Sequence, residues 1–127
     1  MAPVVRAAHY PGRAAIEAYG NGGFRFAGMS HRGSLLCLPS GIHGWDAPAP
    51  DALDEANLEP VFIEAAEIEI LLVGTGRELV PLKPAMRAHC RALGIVAEPM
   101  ATGAAVRTFN VLLAEARAVA AALIAVD

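Results

Sequence analysis

The side chains in this sequence that could do chemistry are histidines, cysteines, one carboxylate on an apolar strand, and the polar residues around two turns. His9, His31, His43 and His89 are scattered along the chain. None falls in an HxxxH or HExxH spacing, which would put two zinc-ligating imidazoles on one helical face. His89 adjoins Cys90, and neighbouring residues on a helix face different directions. The spacing predicts no metal site, and no cofactor is expected. Two cysteines, Cys37 and Cys90, do not make a secreted disulfide framework. Cys37 fits a buried strand residue. Glu69 interrupts the apolar run Ile68 to Val73, so it must be paired, protonated or at a strand end. Arg107 and Arg117 are its candidate partners.

That apolar run is the element around which the rest is organised. Ile68, Ile70 and Leu72 would point to one face of a strand, and Leu71 and Val73 to the other. A strand apolar on both faces belongs in a parallel or mixed sheet covered on both sides. Gly74-Thr75-Gly76 ends it. Pro84 fits the first turn of a helix that runs to Leu93, with Gly94 as its C-terminal cap. Ile95-Val96-Ala97-Glu98 is a second strand, ended by Pro99. Strand, helix, strand is a crossover that makes the two strands parallel. Thr102 is the N-cap candidate of a last, alanine-rich helix through about Ile124. Val106, Phe109, Leu113, Ala116, Ala120 and Leu123 form its core stripe, with Arg107, Asn110, Ala114, Arg117 and Ala121 opposite.

Ligands of open α/β sheets favour the crevice beyond the carboxyl ends of the strands. Here that crevice lies at residues 74–76 and 102–107. Two helix N-termini face it, which suits an anion, and Gly74, Thr75, Gly76, Thr102, Gly103 and Arg107 are the candidate ligand-binding residues. Against this stands a structural alternative, in which the glycines shape a turn, Thr102 caps a helix and Arg107 pairs with a surface carboxylate. Gly74-Thr75-Gly76 is neither a dinucleotide fingerprint nor a P-loop. Leu79 stands where a third glycine is needed, and Lys83 is out of register. No catalytic residue is identified, so the balance leans away from an enzyme. Trp45 is a candidate partner contact on a loop, or a lid folded onto the core.

The N-terminal half reads as strands and turns. Residues 1–13 are expected to be irregular. Residues 14–19 and 24–27 form a hairpin about Asn21-Gly22-Gly23, residues 30–33 a turn, and residues 34–38 a third strand. Residues 39–50 are expected to be loop. Asp51 caps a short helix to about Leu58, Pro60 ends it, and Phe62 and Ile63 anchor this connection to the core. The 127 residues form one α/β domain, residues 1–127. It is a three-layer fold with a central mixed sheet, an N-terminal hairpin and a long C-terminal helix.

Composition narrows the partners. Net charge is −3, which lacks the basic footprint of a nucleic-acid binder. The longest apolar run, residues 118–126, is far short of the about 20 residues a membrane span needs, although peripheral association with a membrane complex stays open. No signal-peptide pattern opens the sequence, so a cytoplasmic location is expected. Only 18% of residues are charged, below the roughly 25% of typical domains. That thin coat predicts a surface covered by a protein partner or a second copy.

One resemblance joins these pieces. It rests on Trp45, Leu72-Val73-Gly74-Thr75-Gly76, Gly94-Ile95 with Glu98 and Met100, and Ala105-Val106-Arg107-Thr108-Phe109-Asn110-Val111-Leu112. Glu115-Ala116-Arg117-Ala118-Val119 and Ala122-Leu123-Ile124 continue it. Across roughly residues 14–126 the chain resembles a family of small domains of unknown function that includes the mitochondrial NADH:ubiquinone oxidoreductase complex assembly factor 3. The resemblance implies a three-layer α/β fold and no catalytic residues. It also implies a non-enzymatic role, through protein contacts, in building a respiratory membrane complex. With no mitochondrial presequence, a bacterial-type member is expected.

Overall fold

The computed structural model describes residues 9–127. The expected irregular segment therefore lies mostly outside the described residues. Within them, His9–Tyr10 is a short strand, β1. It is followed by β2 (Ile16–Gly20), β3 (Gly23–Phe26), β4 (Met29–Arg32), β5 (Ser34–Leu38) and β6 (Gly41–Trp45). The second half runs α1 (Glu59–Ile63), β7 (Ile70–Gly74), α2 (Pro84–Ala92), β8 (Val96–Met100), α3 (Thr102–Ala114) and β9 (Val119–Leu123).

A six-stranded mixed sheet has the order β1-β6-β5-β9-β7-β8, and β2-β3-β4 form a separate three-stranded sheet. β7 is parallel to both β8 and β9, and β5 is antiparallel to β9. The crossover between β7 and β8 is therefore as the sequence implies. Alternation assigns the two faces. Leu36, Leu71, Val73, Ala120 and Ala122 pack with Val61 of α1 and with Met86 and Cys90 of α2. Leu35, Cys37, Leu72, Ala121 and Leu123 pack with Phe24 and Phe26 of the small sheet and with Val106 and Phe109 of α3. The result is three layers, with α1 and α2 on one side and α3 plus the small sheet on the other.

The expected long C-terminal helix is divided. α3 stops at Ala114, Ala116 takes a left-handed φ of 57°, and the remainder is β9, buried at all five positions. Alanine is the best helix former, and its run carried the helical pattern onward. In the fold, the same small side chains let both outer layers pack close on a central strand. Glu115, Ala116 and Arg117 are exposed and make the break. Asn110, expected on the solvent face, is half-buried. Its side-chain amide brackets Ile16 of β2, accepting from the N–H at 2.8 Å and donating to the C=O at 2.9 Å.

Other boundaries differ for local reasons. The hairpin at Asn21-Gly22 is present, both residues taking positive φ. The expected turn at residues 30–33 is instead mostly β4, whose polar residues suit an exposed edge, and the turn is Ala27-Gly28. The expected loop at 39–50 contains β6, which pairs with both β5 and β1. The expected helix from Asp51 is a 3-10 turn at Pro50–Ala52. Pro60 lies in the first turn of α1 rather than ending a helix, a position that needs no proline N–H. Phe62 packs on the core, but Ile63 is 76% exposed. Glu69 sits exposed just before β7, and no ion pair joins it to Arg107 or Arg117 among the described residues. Pro99 lies within β8 and does not end it.

Candidate functional site

The parallel strands β7, β8 and β9 end on one side of the sheet, where α3 begins. A cleft of about 490 Å³ opens there, with Pro50, Thr75, Gly76, Arg77, Val80 and Ala125 on its walls. Thr75 lines it, Thr102 is bonded to Gly76 beside it, and both threonines are buried. Thr102 occupies the first turn of α3, with Ala101 at the N-cap position, so its hydroxyl is free for another task. It accepts the Gly76 N–H at 2.9 Å and donates to the Ile124 carbonyl at 2.7 Å. The Thr102 N–H donates in turn to the Gly76 carbonyl at 2.8 Å. Thr75 donates from its backbone to the Met100 carbonyl at 2.8 Å. Its hydroxyl donates to the Glu78 carbonyl at 2.6 Å and accepts the Val80 N–H at 2.9 Å.

These bonds tie the three strand ends together. They also engage the N–H groups of Thr75, Gly76 and Thr102 with protein acceptors. Glycine at 74 is required by close approach, since a Cβ there would lie 3.0 Å from Thr102 Oγ1 and 3.1 Å from Leu123 Cδ2. Gly103 lies under the Tyr19 hydroxyl, which occupies the space a side chain would need. Gly74, Thr75, Gly76 and Thr102 are thus brought together. Gly103 is roofed by the small sheet, and Arg107 is exposed further along α3. Pro50 and the stretch from Ile124 also line the cleft, and nothing in their residue types or spacing pointed there. Trp45 ends β6, packs half-buried against the core, and donates from Nε1 to the Asn57 carbonyl at 3.0 Å.

A second polar cluster lies at the opposite edge of the large sheet. Glu64, which closes α1, accepts the Ser40 N–H at 2.8 Å and the Ser40 hydroxyl at 2.6 Å. Ser40 Oγ lies 3.2 Å from His43 Nε2, and His43 Nδ1 lies 2.9 Å from His9 Nδ1. Partial burial first, and then the neighbouring His9, hold the His43 imidazole below the ordinary histidine range, with Glu64 pulling the other way. No spacing rule could have found this pair, because His9 and His43 meet only through the β1–β6 register.

The comparisons agree with this architecture. An uncharacterised protein of Rhodobacter capsulatus is 40% identical over 124 residues, covering 98% of this chain and 93% of that protein. The NADH dehydrogenase [ubiquinone] 1 alpha subcomplex assembly factor 3 of Xenopus tropicalis is 34% identical over 109 residues. That match covers 86% of this chain but only 60% of the assembly factor, which is the longer protein. A solved structure described as an outer membrane protein from Bartonella henselae superposes with a TM-score of 0.89 at 57% identity, covering 94% of this chain and all of that one. The family model for the protein of unknown function DUF498/DUF598 matches residues 16–124, so the chain belongs to that family.

Proposed function

We propose that this protein is a non-enzymatic binding domain that assists assembly of a respiratory membrane complex through protein–protein contacts. One observation carries this reading. The part shared with the assembly factors runs through nearly the whole described fold, at 34% identity over 109 residues with the Xenopus protein. The strand-end geometry supports it: the buried Thr75 and Thr102 hydroxyls and the N–H groups of Thr75, Gly76 and Thr102 bond to the protein itself and so hold the scaffold together. Trp45 and the exposed apolar residues Leu93, Val96 and Val111 are the candidate contacts with a protein partner or a second copy. The test is deletion of the gene, followed by native electrophoresis of membranes. Accumulation of partly assembled NADH dehydrogenase, together with its recovery on the tagged protein, is expected. Normal assembly and a strictly monomeric protein that recovers nothing would overturn the reading.

A second reading keeps the crevice at residues 74–76 and 102–107 as a small-anion site, with Gly74, Thr75, Gly76, Thr102, Gly103 and Arg107 as its candidate residues, of which Thr75 and Gly76 line the open cleft. Its support is the position of an open cleft of about 490 Å³ at the carboxyl ends of three parallel strands. Phosphate titration of the intact protein and of Arg107→Ala tests it. A saturable shift of the Gly76 and Gly103 amides that Arg107→Ala weakens would support it, and no shift would exclude it.

A further inference from the structure

The hydrogen bonds at the β1–β6 edge dictate where the protons sit. The Ser40 hydroxyl has one hydrogen, and the 2.6 Å contact with Glu64 Oε2 takes it, since a charged acceptor makes the shorter and stronger bond. Ser40 Oγ therefore faces His43 Nε2 as an acceptor, and Nε2 carries the hydrogen. A neutral imidazole with a hydrogen on one nitrogen has a bare lone pair on the other. The carboxylate–serine relay thus leaves His43 Nδ1 as a free lone pair, held 2.9 Å from His9 Nδ1.

A bent N–H···N bond between the rings accounts for the contact, and the orientation of the rings fits a second arrangement as well. Their centres are 4.6 Å apart and their planes are tilted by 42°. A straight bond would place the centres about 5 Å apart. The nitrogen axes are bent away from the line that joins them. Two metal–nitrogen bonds of about 2.0–2.1 Å meeting at a right angle separate their nitrogens by about 2.9 Å, whereas a tetrahedral angle gives about 3.3 Å. The right-angle figure matches the spacing in this structure. Ligating histidines also characteristically donate their second N–H to an outer partner that fixes the ring, and Ser40 backed by Glu64 fills that role.

We propose that His9 and His43 form a two-imidazole site for a divalent transition metal that favours right-angle ligation, Cu²⁺ or Ni²⁺, with Ser40 and Glu64 as the outer support and solvent in the other positions. The site is separate from the cleft at the strand ends and from the assembly reading. No group of three or more metal-ligating side chains occurs among the described residues, so the site is open to exchange.

The experiment is calorimetric titration of Cu²⁺ into the full chain, with electron paramagnetic resonance of the complex. One ion per chain with hyperfine coupling to two imidazole nitrogens is expected. His9→Ala and His43→Ala should each remove that signal, and His31→Ala and His89→Ala should keep it. Ser40→Ala, which leaves both ligands in place, should weaken binding by about 10–100-fold. His9 and Ser40 are exposed, and circular dichroism checks that each variant folds. Binding that survives loss of both His9 and His43, or no stoichiometric binding, would overturn the site and leave the pair as a hydrogen-bonded contact.

Discussion

At the scale of single residues, the Thr102 hydroxyl is the tie between the chain after β7 and the chain after β9. A hydroxyl where a helix begins is a strong N-cap signal, and in the sequence Thr102 reads so. The same hydroxyl is what joins Gly76 to Ile124. Only the meeting of three strand ends reveals that second task, because its partners stand 26 and 22 residues away. Thr102→Val should cost about 2–4 kcal/mol, since it leaves a buried donor and a buried acceptor without partners. Thr102→Ser keeps both bonds and should lose only about 1 kcal/mol, for the missing methyl. Urea unfolding midpoints read the difference, and equal losses would show that the hydroxyl is not what matters. Cys37 was legible as a buried strand thiol. Burial pushes its pKa up to about 12, which leaves about one part in ten thousand as thiolate at pH 8. Burial likewise raises Cys90, and Glu55 adds to it. Both thiols should therefore resist a disulfide reagent at pH 8 until urea unfolds the protein. Rapid labelling of the native state would contradict their placement.

Elements were legible where periodicity and turn chemistry agreed. The β7–α2–β8 unit and the hairpin at Asn21-Gly22 met that condition. They failed where composition argued one way and position another. β9 is alanine-rich because it lies between two close layers, yet alanine favours helix. β8 shows a different conflict. It is the outer strand of the six-stranded sheet, and a free edge invites pairing with another chain. Val96 donates to the Glu69 carbonyl, and Met100 accepts from the Thr75 N–H. The even-numbered residues thus turn their main chain toward β7, and Ile95, Ala97 and Pro99 turn theirs outward. Cys90 takes the Ile95 N–H, and Pro99 has none to offer. Ala97 is left as the one outward donor of this edge. Proline here guards the edge rather than ending the strand. Pro99→Val, which keeps a similar apolar volume and restores a donor, should raise self-association. Sedimentation of the wild type and the variant over a range of concentrations checks this, and identical monomer fractions would show that the edge is protected by something else.

For the whole molecule, the decisive fact is that the middle of the sheet joins the two ends of the chain. β9 stands between β5 and β7, antiparallel to one and parallel to the other. Its five residues are all buried, and they supply side chains to both core clusters. Without β9 the large sheet divides into an N-terminal half, β1-β6-β5, and a C-terminal pair, β7-β8. Each half would then expose an unpaired central strand and one side of its core. Neither half has a way to close alone, so folding must wait for contacts distant in sequence. A chain ending at Ala116 retains every helix and every other strand. It should nevertheless show no cooperative unfolding transition, while the intact chain unfolds in one step. Native-state hydrogen exchange gives the matching picture in the intact protein. The amides of β5, β7 and β9 should exchange only through global unfolding, and those of β1, a two-residue strand at the rim, through local fraying. A truncated chain that still melted cooperatively, or β9 amides that exchanged as fast as β1, would mean that the two halves fold independently and that β9 only docks between them.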